Sequence, residues 1–305
     1  MSLLETYGRV MQIRLACYSG FCFGVRRAIQ LAKEAVQKGN KVYSLGELIH
    51  NPQYVQELQS KELKMANSAK ELHNSVVIIR SHGITKEEYD VLIAQGNTIV
   101  DATCPYVART HELVKQANAE GYPVLILGDP KHPEVIGMKS FGDANTIVVA
   151  PGEPVPDIMA NRICVISQTT QKLEHLRTLV TQLIPKVIEL KIHNTICLAT
   201  GQRQNSSAEL AKVSDMMVVI GGKQSSNTRM LAKVCSEYCP TIHTETGEEL
   251  SAESFGDKQR IGLAAGASTP EAQIVDVYNR ILKINGEECL ATGIQNIPLF
   301  KEESC

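Results

Sequence analysis

The chain has no tryptophan, only 5% aromatic residues, and no apolar run of membrane-spanning length. A scarcity of aromatic rings removes the stacking platforms on which single-stranded nucleic acid is read, and leaves aliphatic side chains to build the core. A membrane helix needs about twenty consecutive apolar residues, so no membrane association is expected. Charge of one sign is also lacking: 31 Lys and Arg stand against 33 Asp and Glu. That balance predicts no bulk attraction to nucleic acid or to an anionic membrane, so anion binding must be local. Glycine patterns for nucleotides are missing as well. Gly221-Gly222-Lys223-Gln224-Ser225-Ser226 fits neither Gly-x-x-x-x-Gly-Lys-Ser/Thr nor Gly-x-Gly-x-x-Gly. Bound NAD or ATP is therefore not expected. Residues 1–10 carry two charges and no apolar core, so they do not read as an export signal. They read as an extension ahead of a first strand near Met11.

Cysteine is abundant by contrast, with nine in 305 residues. With no export signal, the expected setting is a reducing cytoplasm, where thiols stay reduced or bind metal.

Short Val/Ile/Leu runs end abruptly in polar loops: 76–79 before Arg80-Ser81-His82-Gly83, 124–127 before Gly128 to Glu134, and 163–166 before Ser167-Gln168-Thr169-Thr170. The same pattern recurs at 216–220 before Gly221 to Asn227 and at 261–265 before Gly266-Ala267-Ser268-Thr269. Unbroken runs of this kind are strands buried on both faces of a parallel sheet. Helical stretches lie between them at 26–39, 107–121, 173–184, 206–214 and 270–285. The alternation predicts an α/β protein, with ligands gathered at the carboxyl ends of the strands.

Cys22, Cys104 and Cys197 are spaced almost evenly, each beside a turn or strand end. Three equivalent thirds would bring their thiolates to one central point. Three thiolates hold three irons of a cubane cluster and leave the fourth open to substrate. For any one of them alone, packing as a small hydrophobe is the plainer reading. Cys235 and Cys239 share a helix face but lack a second ligand pair for zinc, so filler is the better reading. Cys164 reads as core; Cys17, Cys289 and Cys305 are given no role.

The polar strand ends suit a small, doubly charged anion. His50, His82 and His132 can donate to phosphate oxygens, and Ser225-Ser226-Asn227 opens a helix with hydroxyls and amides. Ser268 is placed in the same way. Singly, each is better read as a cap or a loop residue; their coming together carries the expectation. Glu134, two residues past His132, is the natural proton source, since a carboxyl in such surroundings has a raised pKa. Thr169 would relay the proton or hold the substrate hydroxyl.

Nine motifs in order make the chain resemble one family. They are Gly-Phe-Cys22-x-Gly-Val, His50-Asn, Ser-His82-Gly, Asp-Ala-Thr-Cys104-Pro, His132-Pro-Glu134, Gln-Thr169-Thr, Ile-Cys197-x-Ala-Thr, Ser225-Ser226-Asn227 and Ala-Gly-Ala-Ser268. The chain is similar, from about 11 to 285, to the LytB family of 4-hydroxy-3-methylbut-2-enyl diphosphate reductases of the non-mevalonate isoprenoid pathway. The resemblance implies three similar α/β domains in a pseudo-threefold trefoil around one [4Fe-4S] cluster, held by Cys22, Cys104 and Cys197 with one open iron. Boundaries near 103 and 196 are expected. The first domain would take residues 11–103 together with 269–290, the second 104–196 and the third 197–268.

The resemblance also implies a two-electron reductive dehydroxylation to isopentenyl and dimethylallyl diphosphate, with the allylic alcohol on the open iron. Glu134, Thr169 and His132 would manage protons, and His50, His82, Ser225, Ser226, Asn227 and Ser268 would hold the diphosphate. Electrons would come from a ferredoxin or flavodoxin. Two departures stand out: the N-terminal extension, and Gly201 where a polar residue is expected. With the last helix near the end of the chain, no added RNA-binding domain is expected. A non-redox iron–sulfur hydro-lyase remains an alternative, with Arg80 and Arg203 as candidate clamps for a carboxylate substrate.

Overall fold

The computed structural model describes residues 11–38, 41–59, 63–156, 160–287 and 293–299. The N-terminal extension, Cys289 and Cys305 lie outside these. In chain order the elements begin with β1 (Gln12–Leu15), α1 (Phe23–Gln37), β2 (Val42–Leu45), α2 (Pro52–Gln59), β3 (Leu63–Ala66), β4 (Val76–Ile79), α3 (Lys86–Ala94) and β5 (Thr98–Asp101). Next come α4 (Pro105–Ala119), β6 (Val124–Leu127), α5 (Pro133–Ser140), β7 (Thr146–Val149), β8 (Arg162–Ser167), α6 (Leu173–Leu183) and β9 (Glu189–His193). The chain continues with α7 (Leu198–Lys212), β10 (Met216–Ile220), α8 (Ser226–Ser236), β11 (Thr241–Thr244), β12 (Arg260–Ala265) and α9 (Glu271–Ile284).

The chain divides into two compact units, Cys22–Gly201 and Met1–Phe21 with Gln202–Cys305. The first unit holds two four-stranded sheets, ordered β3-β2-β4-β5 and β7-β6-β8-β9. The second holds one, ordered β1-β12-β10-β11. Every strand pair in them is parallel, as the unbroken apolar runs predict. The central strands β6 and β10 are buried along their whole length, because helices cover both faces.

All three sheets follow one plan. A strand is followed by a neighbour on one side; the chain then crosses to the other side for the third strand and steps outward for the fourth. In the sheet of β10, β11 and β12 the fourth place is taken by β1, from the opposite end of the chain. The ends of the chain are thus grouped differently from the expected division: β1, expected with residues 11–103, pairs with β12. Ile274, Val277 and Ile281 of α9 likewise share a core with Val218, Ile220 and Leu263. An outermost short strand follows whichever edge completes its sheet, and β1 alone carries no sign of which edge that is.

This plan places two features. Each fourth strand (β5, β9, β1) runs within a few residues into Cys104, Cys197 or Cys22, and each cysteine precedes a helix. In each sheet the order of winding also reverses between its first and third strands, all strands staying parallel, and ligands collect beyond the carboxyl ends at such switch points. Beyond them lie His50 and His82 in one sheet, Glu134 and Thr169 in the next, and Asn227 and Ser268 in the third.

Candidate active site

Within Cys22–Gly201, the three cysteines stand at the heads of the fifteen-residue helices α1, α4 and α7. The Cys22 carbonyl accepts from the Arg26 amide at 3.0 Å, that of Cys104 from Ala108 at 2.9 Å, and that of Cys197 from Thr200 at 3.0 Å. None of the three helices has an acid in its first turn. A helix N-terminus carries about half a positive charge, so three such ends face the sulfurs uncompensated. Helix α7 begins well ahead of the expected residue 206, because Ala199-Thr200-Gly201 reads locally as loop.

The thiols lie within electrostatic reach of one another. Burial raises the Cys104 thiol pKa, and Cys22 and Cys197 raise it further, while the Tyr106 and Val107 amides pull it down. Burial likewise raises Cys197, with smaller upward pushes from Cys22 and Glu134; the Thr200 hydroxyl and amide oppose them. Thr200 Oγ1 sits 3.0 Å from the Cys197 sulfur. Gly24 is required beside this group: a Cβ there would lie 2.6 Å from Cys104 Sγ. No disulfide forms among the described cysteines. Cys164 and Cys235 are buried in cores, as expected for packing residues.

The strand-end loops hold the cysteines. The Cys104 amide donates to the Ser81 carbonyl at 3.0 Å, and the Cys197 amide to that of Thr169 at 3.0 Å. Ser81 in turn donates through Oγ to the Leu48 carbonyl at 3.3 Å, tying the turn before His50 to the one bearing His82. Gly83 makes this last turn with φ at +77°, a conformation L side chains rarely adopt.

His50, His82 and His132 form one group. The His50 and His82 rings stack at 3.9 Å, and His132 meets them edge-on at 5.4 and 5.7 Å. Burial, followed by the charges of His50, His132 and Arg80, holds His82 far below the usual imidazole range, so it is neutral. Its buried Nδ1 has no hydrogen-bond partner among the described residues. His132 Nδ1 accepts the Glu134 amide at 3.2 Å, which assigns its proton to Nε2 and leaves that nitrogen a donor.

Glu134 is buried at the head of α5. The Thr169 amide donates to Oε1 at 2.7 Å and the Thr169 hydroxyl to Oε2 at 3.0 Å. Burial pushes the carboxyl up to about 7, against the downward pull of both hydrogen bonds. Its charge is felt at the Cys197 thiol, so the acid faces the cysteine group. Gln168, which sequence reasoning passed over, is also buried here. It accepts the Asp129 amide at 3.0 Å, and its Nε2 has no partner among the described residues.

The other unit carries a second set of donors. Ser225 caps α8, its Oγ accepting the Thr228 amide at 3.4 Å. Neither amide atom of Asn227, both buried, has a hydrogen-bond partner among the described residues, and neither does Thr228 Oγ1. Ser268 is buried close by in sequence to Thr269, whose hydroxyl donates to the Ile220 carbonyl at 3.0 Å. Ser226 opens α8. Side chains at Gly221 or Gly266 would collide with Thr228 and Thr269, so glycine keeps this cradle open. Thr228 is a polar residue that the sequence reading missed. Its signal was the run Ser225 to Thr228, four hydrogen-bonding side chains in succession at a helix start.

Arg80 and Arg203 are tied to the backbone. Arg80 Nε donates to the Gly83 carbonyl at 3.1 Å, and Arg203 to that of Gly20 at 2.6 Å. Through these bonds each helps hold a turn in place.

The donor set fits an iron–sulfur cluster. Three soft thiolates suit iron–sulfur chemistry, with helix amides on hand to tune it. Among the described residues no three His, Cys, Asp or Glu close on a single metal ion. Cluster ligands, each on its own iron, stand further apart than the ligands of one ion.

A family model described as LytB protein matches residues 13–282. The chain is 42% identical over 280 residues to the 4-hydroxy-3-methylbut-2-enyl diphosphate reductase of Geobacter sulfurreducens, covering 91% of this chain and 99% of that one. It is 41% identical over 285 residues to the enzyme of the same name from a Thermoanaerobacter species, covering 91% and 99%. A solved structure of (E)-4-hydroxy-3-methyl-but-2-enyl diphosphate reductase, terminal enzyme of the non-mevalonate pathway, is similar at a TM-score of 0.66. It is 42% identical over 90% of this chain and 100% of that one. The E-1-hydroxy-2-methyl-but-2-enyl-4-diphosphate reductase from Plasmodium falciparum shares the fold, with a TM-score of 0.83 at 23% identity over 92% of this chain and 91% of that one.

Proposed function

The chain belongs to the LytB protein family, and from that premise we propose that it reduces 4-hydroxy-3-methylbut-2-enyl diphosphate to isopentenyl and dimethylallyl diphosphate. The observation that carries the reading is Glu134, a buried carboxyl fixed by Thr169 and facing the cysteine group. Replacing an allylic hydroxyl by hydrogen consumes two electrons and two protons and releases water. The protein must therefore supply a proton source, a hold on the diphosphate and a route for electrons.

Cys22, Cys104 and Cys197 would hold a [4Fe-4S] cluster with one open iron, which when bound supplies the electrons and a Lewis-acidic seat for the hydroxyl oxygen. Glu134, protonated near neutrality, would give a proton to the leaving hydroxyl, be reprotonated from solvent, and later give one to carbon. The Thr169 hydroxyl holds the carboxyl in place and can turn to the substrate oxygen. His132, with its Nε2 proton, supports both steps. His50, His82, Ser225, Ser226, Asn227 and Ser268 would hold the diphosphate by hydrogen bonds, mostly from uncharged donors. Neutral donors match the near-balanced charge of the chain and release product more readily than an arginine clamp.

In this reading the three like-patterned sheets are the three lobes of a trefoil around the cluster, in a reducing cytoplasm, with a ferredoxin or flavodoxin as donor. Glu134→Gln should keep the cluster's visible absorption and lose at least about a hundredfold in turnover, the usual range for removing a general acid. Unchanged turnover would remove Glu134 from the mechanism.

A further inference from the structure

His111 is a buried imidazole that the proposed chemistry leaves unused. It stands in the second turn of α4, and its ring meets two other elements of the unit Cys22–Gly201. One is the turn after β4: a Cβ at Gly83 would lie 2.9 Å from His111 Cε1 and 3.5 Å from Nε2. The other is α5: a Cβ at Gly137 would lie 3.4 Å from Nε2. The ring also stacks on Phe141, at the end of α5, with centroids 4.4 Å apart and planes 23° apart. Glu134, Gly137 and Phe141 are spaced i, i+3 and i+7, so they share one face of the helix. The imidazole therefore rests on the face headed by Glu134 and on the residue directly after His82.

Its chemistry suits a spacer. Burial, with Lys115 adding to it, lowers the His111 pKa to about 4, against upward pulls from Asp101 and Glu112. The ring is thus neutral throughout the range in which Glu134 changes charge. Its buried Nε2 has no hydrogen-bond partner among the described residues, so shape is what the ring contributes here. A flat ring stacks on Phe141 and fits against glycine on two elements at once. A second link ties the same seam: the Lys86 amide donates to Ser140 Oγ at 3.0 Å, which donates to the Gly137 carbonyl at 2.6 Å.

We propose that His111 is a positioning residue, its ring setting how the turn bearing His82 stands against the helix headed by Glu134. The proposal rests on the reductase reading above. A misplacement of about 1 Å in a catalytic group costs about a hundredfold in rate, so a spacer behind two such groups has leverage. It also protects the acid. Burial is what raises the Glu134 carboxyl, and a loosened α5 would admit water and let that carboxyl fall towards its ordinary range.

The test compares cluster-loaded wild type with His111→Ala, His111→Phe and Gly137→Ala. Turnover with reduced methyl viologen is followed across pH, with iron content and far-UV circular dichroism as controls. The protonated-carboxyl band of Glu134, identified by its loss in Glu134→Gln, is titrated by difference infrared spectroscopy. His111→Ala should lower kcat at least about tenfold and move the alkaline fall in rate and the carboxyl titration about one pH unit lower. Gly137→Ala presses on the same seam from α5 while favouring the helix, and should act in the same direction even if His111→Ala fails to fold. His111→Phe keeps a flat ring and should stay within about threefold of wild type. An unmoved carboxyl titration in His111→Ala and Gly137→Ala would overturn the proposal, whatever the rate. So would failure of His111→Phe to restore the titration, or a loss of turnover that only tracks loss of iron. No turnover by the wild type would instead strike the reductase reading, and the infrared titration, which needs no turnover, would still decide the role of His111.

Discussion

In the proposed mechanism Glu134 must be protonated to act, and burial pushes its carboxyl up to about 7. The proton is therefore present below that value and lost above it. Turnover with a chemical reductant should hold from about pH 6 to 7 and fall as pH rises beyond about 7. A flat profile through pH 8 would contradict the assignment. Asn227 offers a second test at this scale. Its buried amide has no partner among the described residues, which leaves it available to a ligand. Asn227→Asp keeps the shape and, on the proposed diphosphate contact, adds a like charge against it. The KM should rise at least about tenfold, since like-charge contacts cost several kcal/mol, while the cluster spectrum stays unchanged. Glu134 and the three histidines were legible because rare polar residues directly after apolar strands are hard to read as core. Thr228, Gln168 and Gly24 were not, since threonine, glutamine and glycine serve ordinary caps and turns equally well.

Helices explain why cysteine stands where it does. Each of the three heads a fifteen-residue helix, and at Cys104 and Cys197 nearby backbone amides pull the thiol pKa down against the larger upward push of burial. Serine is a good residue at a helix head, so Cys104→Ser should leave far-UV helix content intact and cost the protein iron. Gly24→Ala separates helix from site more sharply. Alanine favours the helix by about 1 kcal/mol over glycine, yet its Cβ would fall 2.6 Å from Cys104 Sγ. Iron content should drop while helix content holds; full iron occupancy would contradict the close approach. The central strands β4, β6, β8, β10 and β12 were readable as apolar runs because both faces are buried. Edge strands such as β5, β9 and β11 are partly exposed and mix polar with apolar residues, so they blended into loops. Parallel pairing followed from the alternation of strands and helices, but which edge β1 completes did not.

At the scale of the molecule, one four-strand plan is used three times, and the third copy is closed by the chain's own beginning. The near-even spacing of Cys22, Cys104 and Cys197 comes from this repetition, because each follows the fourth strand of a sheet. No sequence repeat reveals it; only spacing and strand order do. Each sheet carries its own set of polar residues beyond its switch point, the histidines, the acid or the Asn227–Ser268 set, so topology decides where such side chains stand. The most direct test is anaerobic incubation of cluster-loaded protein with 4-hydroxy-3-methylbut-2-enyl diphosphate and dithionite-reduced viologen, followed by product analysis. Isopentenyl and dimethylallyl diphosphate should form, with two viologen radicals oxidised per product and none formed by Cys104→Ser. Intact substrate, or loss of water without consumption of electrons, would contradict the account.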